Sequence, residues 1–209
     1  MRTRFDDDRR KELLDGVVGI ITKRGFSDVT ISDLARELHC SASSLYRIAS
    51  SKDSLIVLAI AHWGDSALEK MESRARKGKS SSERARLYLR AAVDVIRPLS
   101  HEFRSDVNRF ESSRMAYASI SDRFLKRLSE LINEAVKAGE VRLINTKFHA
   151  QMYRQMALLI RDEELLRKSG LTASQAIAEV ESLIWEGISR EQNLIKPNVS
   201  KNRRKKNED

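Results

Sequence analysis

An all-α fold is predicted for this chain, and three observations predict it. Apolar residues recur at three- and four-residue spacing along most of its length, and no alternating stretch competes as a strand. Only 2 prolines and 8 glycines interrupt 209 residues. Ser or Thr also stands ahead of several apolar patterns with an acid or amide three residues on, a pairing that closes a helix N-terminus.

The elements follow in order. Residues 9–24 read as an amphipathic helix with Leu13, Leu14, Val17, Val18, Ile20 and Ile21 on its apolar side and Gly25 as its stop. Asp6, Asp7 and Asp8 are expected at the positive end of its dipole. Gly16 and Gly19 lie inside it, each at about 1 kcal/mol against Ala, which points to close helix packing. A second helix opens at Thr30, boxed by Asp33, and carries Ile31, Leu34, Ala35 and Leu38 before His39-Cys40 ends it. Ser41 caps a third, short helix through Ile48, anchored inward by Leu45 and Ile48.

A long helix then runs over residues 52–76 with Leu55, Ile56, Leu58, Ala59, Trp63, Ala67, Leu68 and Met71 as apolar members. Ser80 with Glu83 starts another that Pro98 closes. Further helices are predicted over 101–115, 121–138 and 146–168. The last starts at Thr172, boxed by Gln175, and runs to about 194.

The short third helix carries the functional signal. Its outward residues are Ser41, Ala42, Ser43, Ser44, Tyr46 and Arg47. Small side chains allow close approach to base edges, while Ser, Tyr and Arg offer hydrogen bonds to phosphates or bases. The start of the long helix, with Lys52 beside it, is suited to a phosphate.

These residues carry a family resemblance over positions 9–58. The KRGF turn (Lys23 to Phe26), Thr30, the DLA triplet (Asp33 to Ala35), Ser41, the Leu45-Tyr46 pair and the SKDSL helix start (Ser51 to Leu55) stand in one order and spacing. Together they resemble the DNA-binding domain of the TetR, or tetracycline-repressor-like, family. The resemblance implies a three-helix helix-turn-helix module whose third helix reads the major groove, with Thr30, Tyr46 and Lys52 mostly on phosphates. Two positions depart from the family pattern. His39 stands where Gly is usual and must supply a positive φ. Ala49 stands where an aromatic residue is usual, so Ile48 or Phe26 is expected to fill the gap.

The expected organisation is a DNA-binding domain over 1–51, a helical effector-binding and dimerisation domain over 52–195, and a basic disordered tail over 196–209. Because one helix starts the second domain and braces the first, no flexible linker is expected. The resemblance also implies that the last two helices pair with a partner subunit, with Met152, Leu159, Val180, Ile184, Trp185 and Ile188 as candidates. Intramolecular packing is the alternative. A small-molecule effector pocket is likewise implied, and Trp63, Met71, Tyr88, Phe103, Phe110, Met115, Tyr117, Phe124 and Met156 are candidates to line it. Such side chains at helical spacing are more often plain core.

Charge and cysteine content narrow the class. The net charge of +9 suits a polyanionic partner, yet residues 1–50 hold nine Lys/Arg against eight Asp/Glu. Residues 196–209 hold six against two, so almost half the excess lies in the tail. The single cysteine, Cys40, excludes an intramolecular disulfide framework and fits a reducing, cytoplasmic setting; it is expected to be a buried structural thiol. No membrane-length apolar run or signal pattern is present. Four scattered histidines and the absence of metal, Walker or dinucleotide motifs argue against an enzyme, and no cofactor or metal is expected. His62 with Asp65, one turn apart, reads as a surface hydrogen bond.

The expected function is therefore a homodimeric DNA-binding repressor, released from a double-stranded operator by a small molecule. Two other readings stay open. One is an effector-independent DNA-binding protein acting architecturally or through a protein partner. The other is a helical ligand-binding protein or enzyme with an accidental helix-turn-helix resemblance.

Overall fold

A computed structural model of the chain describes residues 2–160 and 162–188. Ten helices follow one another there, with no strand between them: α1 (Arg2–Arg24), α2 (Ile31–Glu37), α3 (Ala42–Tyr46), α4 (Lys52–Ala75), α5 (Ser81–Ile96), α6 (His101–Arg109), α7 (Glu111–Lys137), α8 (Thr146–Leu159), α9 (Glu163–Ser169) and α10 (Ala173–Ile188). The all-α expectation holds. The basic tail and the predicted end of the last helix lie outside the described residues.

Local chemistry sets most helix starts. Thr30 and Asp33 cap α2 reciprocally, and Ser51 and Ser54 do the same for α4. Thr172 accepts from Gln175 N–H while the Gln175 amide accepts from Thr172 N–H, closing the start of α10. At α5 the Ser80 hydroxyl caps Glu83 N–H, but the Glu83 carboxylate reaches back to Lys79 N–H instead.

Four expectations need correction. Helix α1 begins at Arg2, so positions 6–8 lie inside it rather than ahead of its first turn, where Asp6, Asp7 and Asp8 were expected. The predicted helix over 101–115 breaks at Phe110, which is extended (φ −99°, ψ 126°) and separates α6 from α7. No glycine or proline marks that break; the Phe110 ring packs 5.8 Å from that of Phe26, a tertiary contact. The predicted helix over 146–168 divides because the Asp162 carboxylate caps Glu164 and Leu165 N–H groups, each at 3.0 Å. Gly16 does permit a close approach, since a Cβ there would lie 2.4 Å from Leu38, but Gly19 has nothing within 4 Å.

Two main cores share α4. The first joins α1–α3 and the start of α4 to Leu99, Phe103, Val107 and Ile120, so the N-terminal module is sealed by α6 and α7. The second gathers the later half of α4 with α5, α7, α8 and α10. The first core runs along α4 through Ile60, past residue 51. No described helix is long and apolar enough to cross a membrane.

Candidate DNA-binding face and effector cavity

The candidate reading helix is held by its own loop. Helix α2 ends at Leu38, and His39 takes φ +50°, the left-handed turn its sequence position required. Cys40 N–H then returns to the Ala35 carbonyl at 2.9 Å, with its thiol half-buried against the first core rather than fully enclosed. The Ser41 hydroxyl accepts from Ser44 N–H and lies 2.8 and 2.9 Å from the Ser43 and Ser44 hydroxyls. Leu45 is fully buried and Ile48 half-buried. Ala49 is buried, with Phe26 and Ile48 packed into the same core where an aromatic residue was expected. Outward stand Ser41, Ser43, Tyr46 and Arg47, with Tyr46 52% exposed. Thr30 is exposed, its hydroxyl donating to Asp33 at 2.6 Å.

Lys52 is placed differently from the expectation of an outward cation. Its ammonium donates to the Ser27 carbonyl at 2.8 Å. That carbonyl belongs to a turn fixed from α6: the buried Asp106 accepts from Phe26 N–H at 2.5 Å and Ser27 N–H at 2.9 Å. Gly25, at φ +79°, makes room, because a Cβ there would sit 2.5 Å from an Asp106 oxygen. The first core thus ends in a polar clasp from α6 through the α1–α2 turn to the head of α4.

Helices α4, α5, α6, α7, α8 and α10 line an apolar cavity of about 130 Å³ that opens on one side. Trp63, Met71, Tyr117, Phe124 and Met156 line it, as does Arg104, its one charged wall residue among those described. Trp63 and Tyr117 stack at 5.7 Å, forming a flat wall. A second buried polar group lies at the α5–α10 seam. Glu181 sits 3.6 Å from Arg86 and 3.4 Å from Arg90, and burial together with that carboxylate pushes the Tyr153 phenol above its ordinary range.

Comparison with known proteins bears first on the N-terminal module. Residues 13–59 match the family described as bacterial regulatory proteins, tetR family. The HTH-type transcriptional regulator YfiR of Bacillus subtilis (strain 168) is 26% identical over 182 residues, spanning 80% of this chain and 88% of that one. Residues 13–59 thus carry the tetR-family module. Structural likeness extends the shared fold beyond the N-terminal module. FadR from Bacillus subtilis, solved with stearoyl-CoA, matches with TM-score 0.63 at 16% identity over 85% of this chain and 98% of its own. A transcriptional regulator from Saccharomonospora viridis, solved with choline, matches with TM-score 0.68 at 18% identity over 88% and 98%.

Four residues expected at the pocket lie elsewhere. Tyr88 is buried behind the cavity wall, stacked 5.3 Å from Phe124, and burial pushes its phenol up to about 12. Phe103 fills the first core between Phe26 and Trp63. Phe110 caps Phe26, and Met115 is 66% exposed.

Among the residues expected at a subunit interface, Ile184 and Ile188 are buried within the protomer. Val180 lines the cavity, and Trp185 lies half-buried under Arg86. Met152 is half-buried and Leu159 is exposed. Phe148 and Leu183, part of the apolar patterns of these two helices though not among the six candidates, are the more exposed apolar side chains of α8 and α10. His62 pairs with Asp15 of α1 at 2.6 Å, while Asp65 pairs with Arg123. Sequence reading also missed Arg104 and Asp106, whose partners lie in other elements.

Proposed function

We propose that this TetR-family regulator binds an operator duplex as a homodimer and is a repressor released by a small molecule held in the apolar cavity. One observation carries the reading: α6 bears Arg104 on the cavity wall and, two residues on, Asp106 in the clasp on the α1–α2 turn. A ligand that moves α6 changes the support of the DNA-binding module. The effect on operator affinity equals the ligand's differential affinity for the two states. The stearoyl-CoA and choline complexes of two structural neighbours support a ligand-responsive reading.

On DNA, Ser41, Ala42, Ser43 and Ser44 bring α3 close to the major groove, and Arg47 reads a base edge. Thr30, Tyr46 and Lys52 hold phosphates; Lys52 first leaves the Ser27 carbonyl. Dimerisation uses α8 and α10, whose Phe148, Leu159 and Leu183 side chains are 62%, 54% and 68% exposed. Two recognition helices then meet half-sites about one helical turn apart or a multiple of it. The setting is the cytoplasm.

Selection from a random duplex library at physiological salt tests this. Enrichment of a palindrome with fixed half-site spacing is the expected result. Binding without enriched sequence, vanishing as salt rises, would overturn the operator reading.

A further inference from the structure

Arg104 is out of character with the wall it stands in. The cavity is otherwise built of apolar and aromatic side chains, with Ser121 beside them. The Arg104 guanidinium is half-buried and donates to the Leu99 carbonyl at 2.5 Å, which uses one of its five N–H groups. No carboxylate among the described residues pairs with it. The two nearest acids in sequence are on the same helix: Glu102 is exposed and engaged mainly by its own backbone N–H and Ser100, with only a lesser pull from Arg104, and Asp106 is committed to the Phe26 and Ser27 N–H groups. A part-buried guanidinium with spare donors presents a fork that matches a carboxylate.

Size adds a second constraint. An engineered apolar cavity of about 150 Å³ accommodates benzene, so about 130 Å³ holds a body near one aromatic ring. Trp63 and Tyr117 offer that ring a flat partner.

We infer that the effector is a compact apolar monocarboxylate, its ring or branched body in the cavity and its carboxylate on Arg104. This rests on the cavity being the effector site. It also separates this regulator from a neighbour that holds choline, because a cation would meet the guanidinium's like charge.

Phenylacetate, 2-phenylacetamide and 2-phenylethylamine share one body and differ in charge. Binding of each to the full chain is read from the fluorescence of Trp63, with Trp63→Phe as the blank that isolates it from Trp185. Phenylacetate is expected to bind at least ten times more tightly than the amide, and the amine more weakly than both. Arg104→Met should abolish the preference and Arg104→Lys should keep part of it, with melting curves confirming that both variants fold. Equal or tighter binding of the amide to the wild-type protein overturns the inference and leaves the cavity reading intact, since Trp63 still responds. So does an unchanged preference in folded Arg104→Met. If no member of an apolar fragment panel moves the Trp63 signal, the cavity reading fails and takes the inference with it.

Discussion

The two cores that meet along α4 are filled differently. In the first, Val17, Ile21, Leu34, Leu45, Leu55, Ile60 and Phe103 lie fully enclosed where α1–α3 meet α4, α6 and α7. In the second, equally apolar walls stop short of one another and leave the cavity between Trp63, Leu89, Phe124 and Val180. A module that must present a five-residue helix at one pitch needs the filled interior, because close packing fixes the position of everything it touches. A ligand-responsive body needs room and a movable wall. Helix α6 belongs to both, through Phe103 and Asp106 on one side and Arg104 on the other.

The sharpest way to break this contrast is to change volume in each core. Leu45→Ala removes a fully buried anchor of α3 and should cost about 3 kcal/mol of stability. Specific DNA binding should go with it. Ala59→Val in the filled core should cost about 1–3 kcal/mol through overpacking. Ala92→Val, on the cavity wall, should cost under about 1 kcal/mol because space is available, while blocking ligand. Urea denaturation of the three variants measures this. A penalty for Ala92→Val equal to that for Ala59→Val would erase the distinction.

The clasp between the cores is tested at Asp106. Asp106→Ala leaves the Phe26 and Ser27 N–H groups without their acceptor and should cost about 1–3 kcal/mol. Asp106→Asn keeps an acceptor oxygen and should cost much less. If the clasp transmits the ligand signal, folded Asp106→Ala also shows a smaller ligand-induced change in operator affinity than wild type, measured by fluorescence anisotropy. An undiminished ligand response in that variant would leave the clasp a purely structural feature.

Two substitutions on the reading face separate base contact from charge. Arg47→Ala should weaken operator binding by about 1–3 kcal/mol and relax preference at one position. Lys52→Ala should weaken binding evenly across sequences and lower the salt slope by about 1. A salt slope unchanged in Lys52→Ala would mean that Lys52 stays on the Ser27 carbonyl when DNA is bound.

The cores also differed in how much their sequence disclosed. Around α2, α3 and α4, helix starts are written locally, in the Thr30–Asp33 box and in Ser41 and Ser51 ahead of the next two helices, so short-range chemistry located them; the Ser44 and Ser54 partners came from the structure. The left-handed His39 was legible for the same reason. The cavity was half legible. Trp63 and Phe124 face it, but Tyr88 has the same aromatic, helical pattern and lies one layer behind. Which turn of a helix faces a void depends on how neighbouring helices cross, and periodicity does not encode that. Arg104, Asp106 and the Phe110 break gain their meaning from partners far along the chain or on other helices.

A smaller effect marks the far end of the second core. Burial, with a lesser contribution from Arg142, holds the His149 imidazole below its usual value of 6.5, and its Nδ1 is enclosed without a hydrogen-bond partner. The fold therefore favours the neutral ring, while the unfolded chain takes up a proton near its ordinary value. The stability tied to that neutrality is complete above about pH 6.5 and is lost as pH falls through the lowered folded value. Glu72 behaves alike in a separate window: hydrogen bonds from Arg127 hold its carboxyl low, so its contribution fades only below 4.5. Melting temperatures of wild type and His149→Gln should run parallel from pH 8 to 7 and diverge between 6.5 and 5, with wild type losing more. Parallel curves throughout would mean that the ring meets solvent freely, and that this end of the body is as open as its core.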